Sequence, residues 1–110
     1  MVESKKEILR GTLDMLILKT LSLTQMHGLG ISRRIEQITD GVFQVKPGSL
    51  FPALHRMEQE GWISGEWGES ENNRRAKYYE LTAAGTKRLG EEQHGWAHHV
   101  MTISKVLEAS

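Results

Sequence analysis

The chain has 110 residues, a length that fits one small domain with a modest core. It contains no cysteine, which excludes a disulfide framework and a cysteine-based zinc site. Its 14 basic residues balance 14 acidic ones, which argues against a protein that simply coats nucleic acid but allows a local basic patch. No apolar stretch is long enough for a signal peptide or a membrane span, so we expect a cytoplasmic protein without a membrane partner.

The N-terminal third of the chain predicts two helices. Residues Lys5 to Thr24 carry apolar side chains at steps of three and four, in an excess that indicates burial on more than one side. Gly28 and Gly30 interrupt this pattern, and a second helix is predicted from about Ile31 to Ile38. The segment after it is compatible with one short strand that contains Val42, Phe43 and Val45.

The stretch from Val45 to Ile63 predicts a third helix. Pro52 has no N–H group, which a helix tolerates only in its first turn, so the helix is predicted to begin at Gly48 or Ser49. Ser49 can cap it, and Gly61 ends it. The predicted buried stripe consists of Leu50, Ala53, Leu54 and Met57. The opposite side carries Ser49, Phe51, Pro52, His55, Arg56 and Gln59.

The C-terminal half predicts a hairpin followed by a long helix. Two strand-like runs, ISGEWG and AKYYEL, flank the polar segment ESENNRR, and the run from Leu81 to Leu107 is helical with Thr82 as its N-cap. This order of elements indicates a mainly α (α+β) fold, a winged helix-turn-helix with a two-stranded β-wing and a long C-terminal dimerisation helix. We expect a DNA-binding domain over residues 1–82 and the dimerisation helix over residues 83–110.

The polar outer side of the third helix suits DNA. In winged helix-turn-helix domains this helix enters the major groove, and the wing contacts the flanking backbone or the minor groove. Lys46 and the first N–H groups of the helix suit a phosphate, and Arg56 suits guanine or a phosphate. His55 and Gln59 can donate to bases or phosphates. Phe51 either meets a thymine methyl group or packs under the wing.

Three cations stand where the wing returns to the domain. Arg74, Arg75 and Lys77 lie within four residues, beside the proposed DNA-reading helix, and fit phosphate clamps. A solvated charge run is the alternative. The candidate DNA-binding residues are therefore Lys46, Ser49, Phe51, Pro52, His55, Arg56, Gln59, Arg74, Arg75 and Lys77.

The segments GSLFPALHRMEQEGWI and RRAKYYELTAAGTKRL, preceded by LDMLILKTLSLTQMHGLGISRRI, resemble the PadR family of bacterial transcriptional regulators. The resemblance runs from about Leu13 to Leu89 and implies a winged helix-turn-helix repressor that dimerises through its C-terminal helix. Two positions depart from the family. It commonly has tyrosine where this chain has Phe51, which removes a hydroxyl that can bond to DNA, and Gly-Tyr where this chain has Gly28 and Leu29. The short C-terminal part resembles the smaller PadR members.

The last helix carries a coiled-coil-like seam. Apolar residues follow alternating steps of four and three, with Gln93 as a polar interruption. We expect a dimer seam, to which the first helix contributes, and packing on the chain's own domain is the alternative. A two-fold dimer places two reading helices one DNA turn apart, which predicts a palindromic operator. The expected dimer-interface residues are Leu13, Ile17, Leu89, Trp96, Val100, Ile103 and Leu107.

Trp96 lies in the middle of this seam. Some small PadR proteins hold planar aromatic or cationic compounds between tryptophans of their C-terminal helices, and the resemblance gives Trp96 this role; a core tryptophan is the alternative. Glu91, His94 and His98 also lie at steps of three and four, a metal-capable spacing, but exposed histidines are usually solvated. We expect no metal and no cofactor.

These patterns give a leading hypothesis and two rivals. The leading hypothesis is a sequence-specific DNA-binding repressor, active as a homodimer and released by a small aromatic effector. The first rival is a winged-helix protein–protein interaction module without DNA binding, which the balanced charge favours. An enzyme has little support, because the sequence shows no Ser-His-Asp order, phosphate loop or paired buried carboxylates.

Overall fold

The computed structural model describes residues 11–69 and 72–110. Within these ranges the chain forms the predicted winged helix-turn-helix, with a long C-terminal helix after the hairpin. The predicted start of the first helix, over residues 5–10, lies outside the described residues. The elements are α1 Leu13–Leu23, β1 Met26–His27, α2 Gly28–Ile38, α3 Pro47–Gln59, β2 Ile63–Glu69, β3 Arg75–Leu81 and α4 Ala83–Leu107.

The small sheet confirms the predicted hairpin and adds a strand to it. Strands β2 and β3 pair antiparallel, from Ile63 opposite Leu81 to Glu69 opposite Arg75. Strand β1 pairs with the other edge of β3, which gives the order β1-β3-β2. The two residues of β1 are too few to leave an alternating pattern in the sequence, so this third strand was not predicted.

The expected strand at Val42, Phe43 and Val45 is wrong. Phe43 makes only a single β-bridge, and the chain around it forms a loop between α2 and α3. Val45 is buried in this loop, which accounts for an apolar residue at this position. Its carbonyl oxygen accepts a hydrogen bond from the Ser32 hydroxyl at 3.1 Å. Phe43 and Val45 therefore anchor a loop against the core, whereas Val42 is exposed.

Helix α3 begins earlier than predicted. Its first residue is Pro47, with Lys46 at the N-cap, and Ser49 lies inside the first turn without capping the helix. Pro47 favours this start because its φ angle is already helical and its missing N–H needs no partner. Pro52 consequently lies inside the helix rather than in its first turn, whereas the predicted stop is confirmed by Gly61, which follows the C-cap with φ +81°. The buried stripe of Leu50, Ala53, Leu54 and Met57 is also confirmed.

The core lies between the first three helices and the base of the hairpin. Helix α1 packs against α2, α3, α4 and β3, which explains its broad apolar surface. Ile17 and Leu89, expected at a dimer interface, are 0% and 7% exposed in the single chain. These two side chains therefore belong to the domain's own core and offer no surface to a second copy. The largest fully buried side chains are Ile17, Leu18, Ile31, Leu50, Leu54, Met57 and Ile63.

Helix α4 begins inside the domain and then leaves it. The Thr82 hydroxyl accepts a hydrogen bond from the Gly85 N–H at 3.0 Å and donates to the Gly61 carbonyl at 2.6 Å, which confirms the predicted cap. Gly85 and Leu89 are its buried residues, although its 25 residues extend for about 37 Å. The radius of gyration is accordingly 15.7 Å, against about 13 Å for a compact chain of 100 residues.

Two glycines of α4 provide a test of how closely the start of this helix packs on the domain. A Cβ at Gly85 would overlap the backbone carbonyl of Trp62, whereas a Cβ at Gly90 would have nothing within 4 Å. We expect Gly85→Ala to lower the free energy of unfolding by about 1–3 kcal/mol, because a backbone carbonyl must move. The matched variant Gly90→Ala should raise it by about 0.5–1 kcal/mol through helix propensity. Urea denaturation measures both, and equal stability of the two variants would contradict the close contact.

Candidate nucleic-acid interface

One side of α3 is open to solvent along its whole length. The burial of the opposite stripe turns the polar residues outward, as the sequence predicted. No side chain caps the helix, and its first turn is exposed, so a partial positive charge faces outward at this end. The exposed candidates on and before α3 are Lys46, Ser49, Phe51, Pro52, His55, Arg56 and Gln59.

Phe51 lies at the edge of this side and packs against α2. A Cβ at Gly28 would lie 2.7 Å from Phe51 Cε1, so the ring covers the first residue of α2. One part of the Phe51 ring is therefore covered by α2. The ring is still 44% exposed and presents an apolar surface beside the polar residues.

Arg56 is held by an acidic partner on another helix. Its Nη1 donates to Asp14 Oδ2 at 2.9 Å and its Nη2 donates to Asp14 Oδ1 at 2.7 Å. This hydrogen bonding raises the pKa of Arg56 above its usual value. Although no acidic residue lies one turn earlier on its own helix, the charge of Arg56 is thus already paired with Asp14. The pair uses two of the five N–H donors of the guanidinium group and ties α3 to α1.

The wing presents a stacked cation. The guanidinium carbon of Arg75 lies 4.9 Å from the centre of the Trp67 ring, and Trp67 is 60% exposed. Both side chains project from the same face of the hairpin, because Trp67 pairs with Lys77 and Glu69 pairs with Arg75. This stacking holds the Arg75 guanidinium group over the Trp67 ring. Trp67 was missed in the sequence because an exposed aromatic on a strand has the same pattern as a buried one.

Lys77 points toward α3 rather than into solvent. Its Nζ lies 2.9 Å from Glu58 Oε1 of α3, and this hydrogen bond raises the pKa of Lys77. Arg74 lies just before β3, after Asn73 with φ +55°, and is exposed. The three wing cations therefore differ, since Lys77 is paired, Arg75 is stacked and Arg74 is open to solvent.

Arg33 is a second cationic residue, in addition to Lys46, near the start of α3. A surface cleft of about 240 Å³ separates α2 from this start and contains Arg33 beside Lys46. Arg33 was not among the predicted site residues, because its position near the N-terminus of α3 depends on the tertiary fold. The cleft is lined by Ser32, Arg33, Glu36, Gln44, Val45, Lys46 and Pro47.

The outer part of α4 exposes an apolar stripe. Trp96, Val100 and Ile103 are 40–45% exposed, and Leu107 is 78% exposed. Leu13, the expected contributor from α1, is partly buried. Glu91, His94 and His98 are exposed on the same helix. In the described part of the chain, no three or more His, Cys, Asp or Glu side chains are grouped to hold a metal ion, and no helix is long and apolar enough to cross a membrane.

Comparison with known proteins gives consistent matches. The profile of the transcriptional regulator PadR-like family matches residues 17–91. A transcriptional regulator from Clostridium thermocellum is 31% identical, with a TM-score of 0.81 over 87% of this chain and 93% of that one. A PadR-like transcriptional regulator from Bacillus cereus is 28% identical, with a TM-score of 0.77 over 93% and 97%. Transcriptional regulator Rv3488 of Mycobacterium tuberculosis is 27% identical over 88 residues, 80% of this chain and 78% of the relative.

Proposed function

Because the chain belongs to the PadR-like family of transcriptional regulators, we propose that it binds double-stranded DNA as a homodimer and represses transcription from a palindromic operator. The observation that carries this proposal is the exposed side of α3 together with the neighbouring face of the wing. The exposed side of α3 combines an uncapped N-terminus with polar side chains, and the face of the wing carries the Trp67–Arg75 stack. A helix of this kind suits the major groove, and a cationic hairpin suits the flanking backbone.

The proposed contacts divide into two kinds. Lys46 and the first turn of α3 hold a phosphate, and Arg75 holds another beside the wing. His55 and Gln59 reach base edges, with Phe51 against a thymine methyl group. The remaining proposed contacts are made by Ser49, Pro52, Arg74 and the free N–H groups of Arg56, whose orientation Asp14 fixes.

The distribution of charge favours DNA over the protein-interaction alternative. Lys46 and Arg74 are exposed and make no ion pair within residues 11–69 and 72–110. Unpaired cations attract phosphates, and Lys46 does so beside a helix N-terminus, whereas protein interfaces tend to exclude lysine from their centre. The balanced net charge does not oppose this reading, because acidic residues such as Asp14 and Glu58 pair within the fold.

The exposed stripe of α4 supports the homodimer. Soluble monomers seldom expose a contiguous apolar surface of this kind, and the four-three spacing of its residues fits helix-on-helix packing. We propose that Trp96, Val100, Ile103 and Leu107 pack against a second copy, with Leu13 at the edge of the contact. The two α3 helices of such a dimer would meet two half-sites of the operator.

Trp96 supports a further part of the proposal, an effector site in the dimer. Its ring is 40% exposed in a stripe whose other members are aliphatic. Two such rings, one from each copy, offer flat faces to a planar aromatic compound. Binding there releases the repressor by changing how the two copies pack.

DNA binding is tested by selecting bound sequences from random DNA and then titrating the recovered site at several salt concentrations. We expect a palindromic consensus. Arg75→Ala should weaken the operator and scrambled DNA alike and lower the salt slope by about one unit, because one phosphate contact is lost. Lys105→Ala, which removes a cation from the last turn of α4, should leave the slope unchanged. No enriched sequence, together with an unchanged slope for Arg75→Ala, would favour the protein-interaction alternative.

The dimer is tested by placing charges on the stripe. Val100→Asp combined with Ile103→Asp should produce monomers, because two carboxylates cannot be buried without partners. Sedimentation measures the mass, and the monomers should bind operator DNA far more weakly. Lys105→Asp is a matched control that adds a carboxylate away from the stripe. A wild-type chain that sediments as a monomer at micromolar concentration would refute the dimer.

The effector site is tested by tryptophan fluorescence with planar aromatic cations as probes. The emission should fall on binding, and Trp96→Ala should remove that component while Trp62 and Trp67 continue to emit. Trp67→Ala is the matched control and should keep the binding component. Equal affinity of the probe for wild type and Trp96→Ala would exclude this site.

A further inference from the structure

The side chain of Lys77 spans the space between the wing and α3. Its Nζ lies 2.9 Å from Glu58 Oε1, and both side chains are about 30% exposed, at 28% and 30%. The same ammonium lies 5.7 Å from the centre of the Tyr79 ring and 6.0 Å from that of Trp67. The lysine is thus fixed by one carboxylate and flanked by two aromatic rings.

The glycine opposite leaves room for this arrangement. A Cβ at Gly65 would lie 2.5 Å from Lys77 Cε and 3.2 Å from Tyr79 Cε1. Gly65 pairs with Tyr79 in the hairpin, so any larger side chain there would occupy the space of the lysine stem. The sequence signal was a glycine inside a strand, which often marks a close approach.

The pair lies where the hairpin needs support. Beyond its base the wing is a two-stranded ribbon, an element of marginal stability by itself. Among the described residues, Glu58–Lys77 is the ion pair that joins α3 to this ribbon. Arg75 lies two residues before Lys77 on the same face of the hairpin, so the position of Lys77 constrains that of Arg75.

We propose that Lys77 and Glu58 form a latch, seated over Gly65, that fixes the wing relative to α3. Lys77 is then a positioning residue for DNA binding and not one of the phosphate contacts expected from the sequence. This inference rests on the proposed function, in which α3 and the wing meet DNA together. The latch holds the stacked Arg75 at the distance from α3 that the backbone of bound DNA requires.

The test uses variants that separate geometry from charge. Lys77→Met keeps the aliphatic stem and removes the ammonium group, whereas Gly65→Ala keeps every charge and displaces the stem. Arg75→Ala is the reference for a lost phosphate contact on the same strand. Gly68→Ala is the control for added bulk, because its Cβ would meet only the Tyr78 ring, at 3.3 Å, on the opposite face of the hairpin.

Operator titrations at several salt concentrations distinguish the two roles of Lys77. We expect Lys77→Met and Gly65→Ala to weaken binding about two- to fivefold, the range of a partly exposed ion pair. Their salt slopes should equal that of wild type, because the same phosphates are neutralised in the complex, while Arg75→Ala lowers the slope. A slope lowered by about one unit in Lys77→Met, or wild-type affinity in both Lys77→Met and Gly65→Ala, would overturn the latch.

Hydrogen exchange in the free protein tests the latch without DNA. The amides of β2 and β3 should exchange faster in Lys77→Met and Gly65→Ala than in wild type and Gly68→Ala, while those of α1 keep their rates. Unchanged exchange in the wing overturns the latch whether or not DNA binds. A wild-type protein that binds no DNA overturns the proposed function instead, and the exchange rates still decide the latch.

Discussion

The burial of one side of α3 is the constraint on which the rest of the molecule depends. Leu50, Leu54 and Met57 are fully buried, and they fix the rotation of the helix about its own axis. Because the helix has 3.6 residues per turn, this rotation places His55 and Gln59 on the side that faces solvent. The chemistry of the exposed side is therefore a consequence of core packing.

Two ion pairs refine this arrangement from either flank of α3. Asp14 holds Arg56 from α1, and Glu58 holds Lys77 of the wing. Pairs of such exposure typically contribute about 0.2–1 kcal/mol, which is small beside the burial of the core side chains. Their effect is thus mainly on orientation. Because Arg56 and Lys77 are paired within the fold, this surface has fewer unpaired cations for DNA than its number of basic residues suggests.

Features that depend on neighbours in sequence were predictable, and those that depend on distant contacts were not. The buried stripe of α3 and the Thr82 cap follow from local periodicity and local hydrogen bonding. The partner of Arg56 lies 42 residues away, beyond any helical spacing rule. Leu89 lies in the same heptad register as the exposed stripe, and an apolar residue at such a position suits a core and an interface equally. Only the tertiary fold separates the two environments.

The start of α3 shows a different limit. Pro52 predicts a start at Gly48 or Ser49, although Pro47 is the residue whose fixed φ begins the helix. Either proline is compatible with the first turn of a helix, so the sequence does not show which of them marks the start of α3. The PadR-like motif around Phe51 was recognisable all the same, since it spans the whole helix and does not depend on its first residue.

The outer part of α4 has a consequence for how this helix is stabilised. A Cβ added at Gly90 or Gly95 would meet nothing within 4 Å, so packing within the chain requires neither glycine, and each costs a helix about 0.5–1 kcal/mol relative to alanine. These two glycines lower the helix propensity of the segment beyond Leu89, and the apolar stripe of the segment is exposed in the single chain. If a second copy covers this stripe as proposed, the same contact also stabilises the helix, because packing of an apolar face contributes most of a helix's stability.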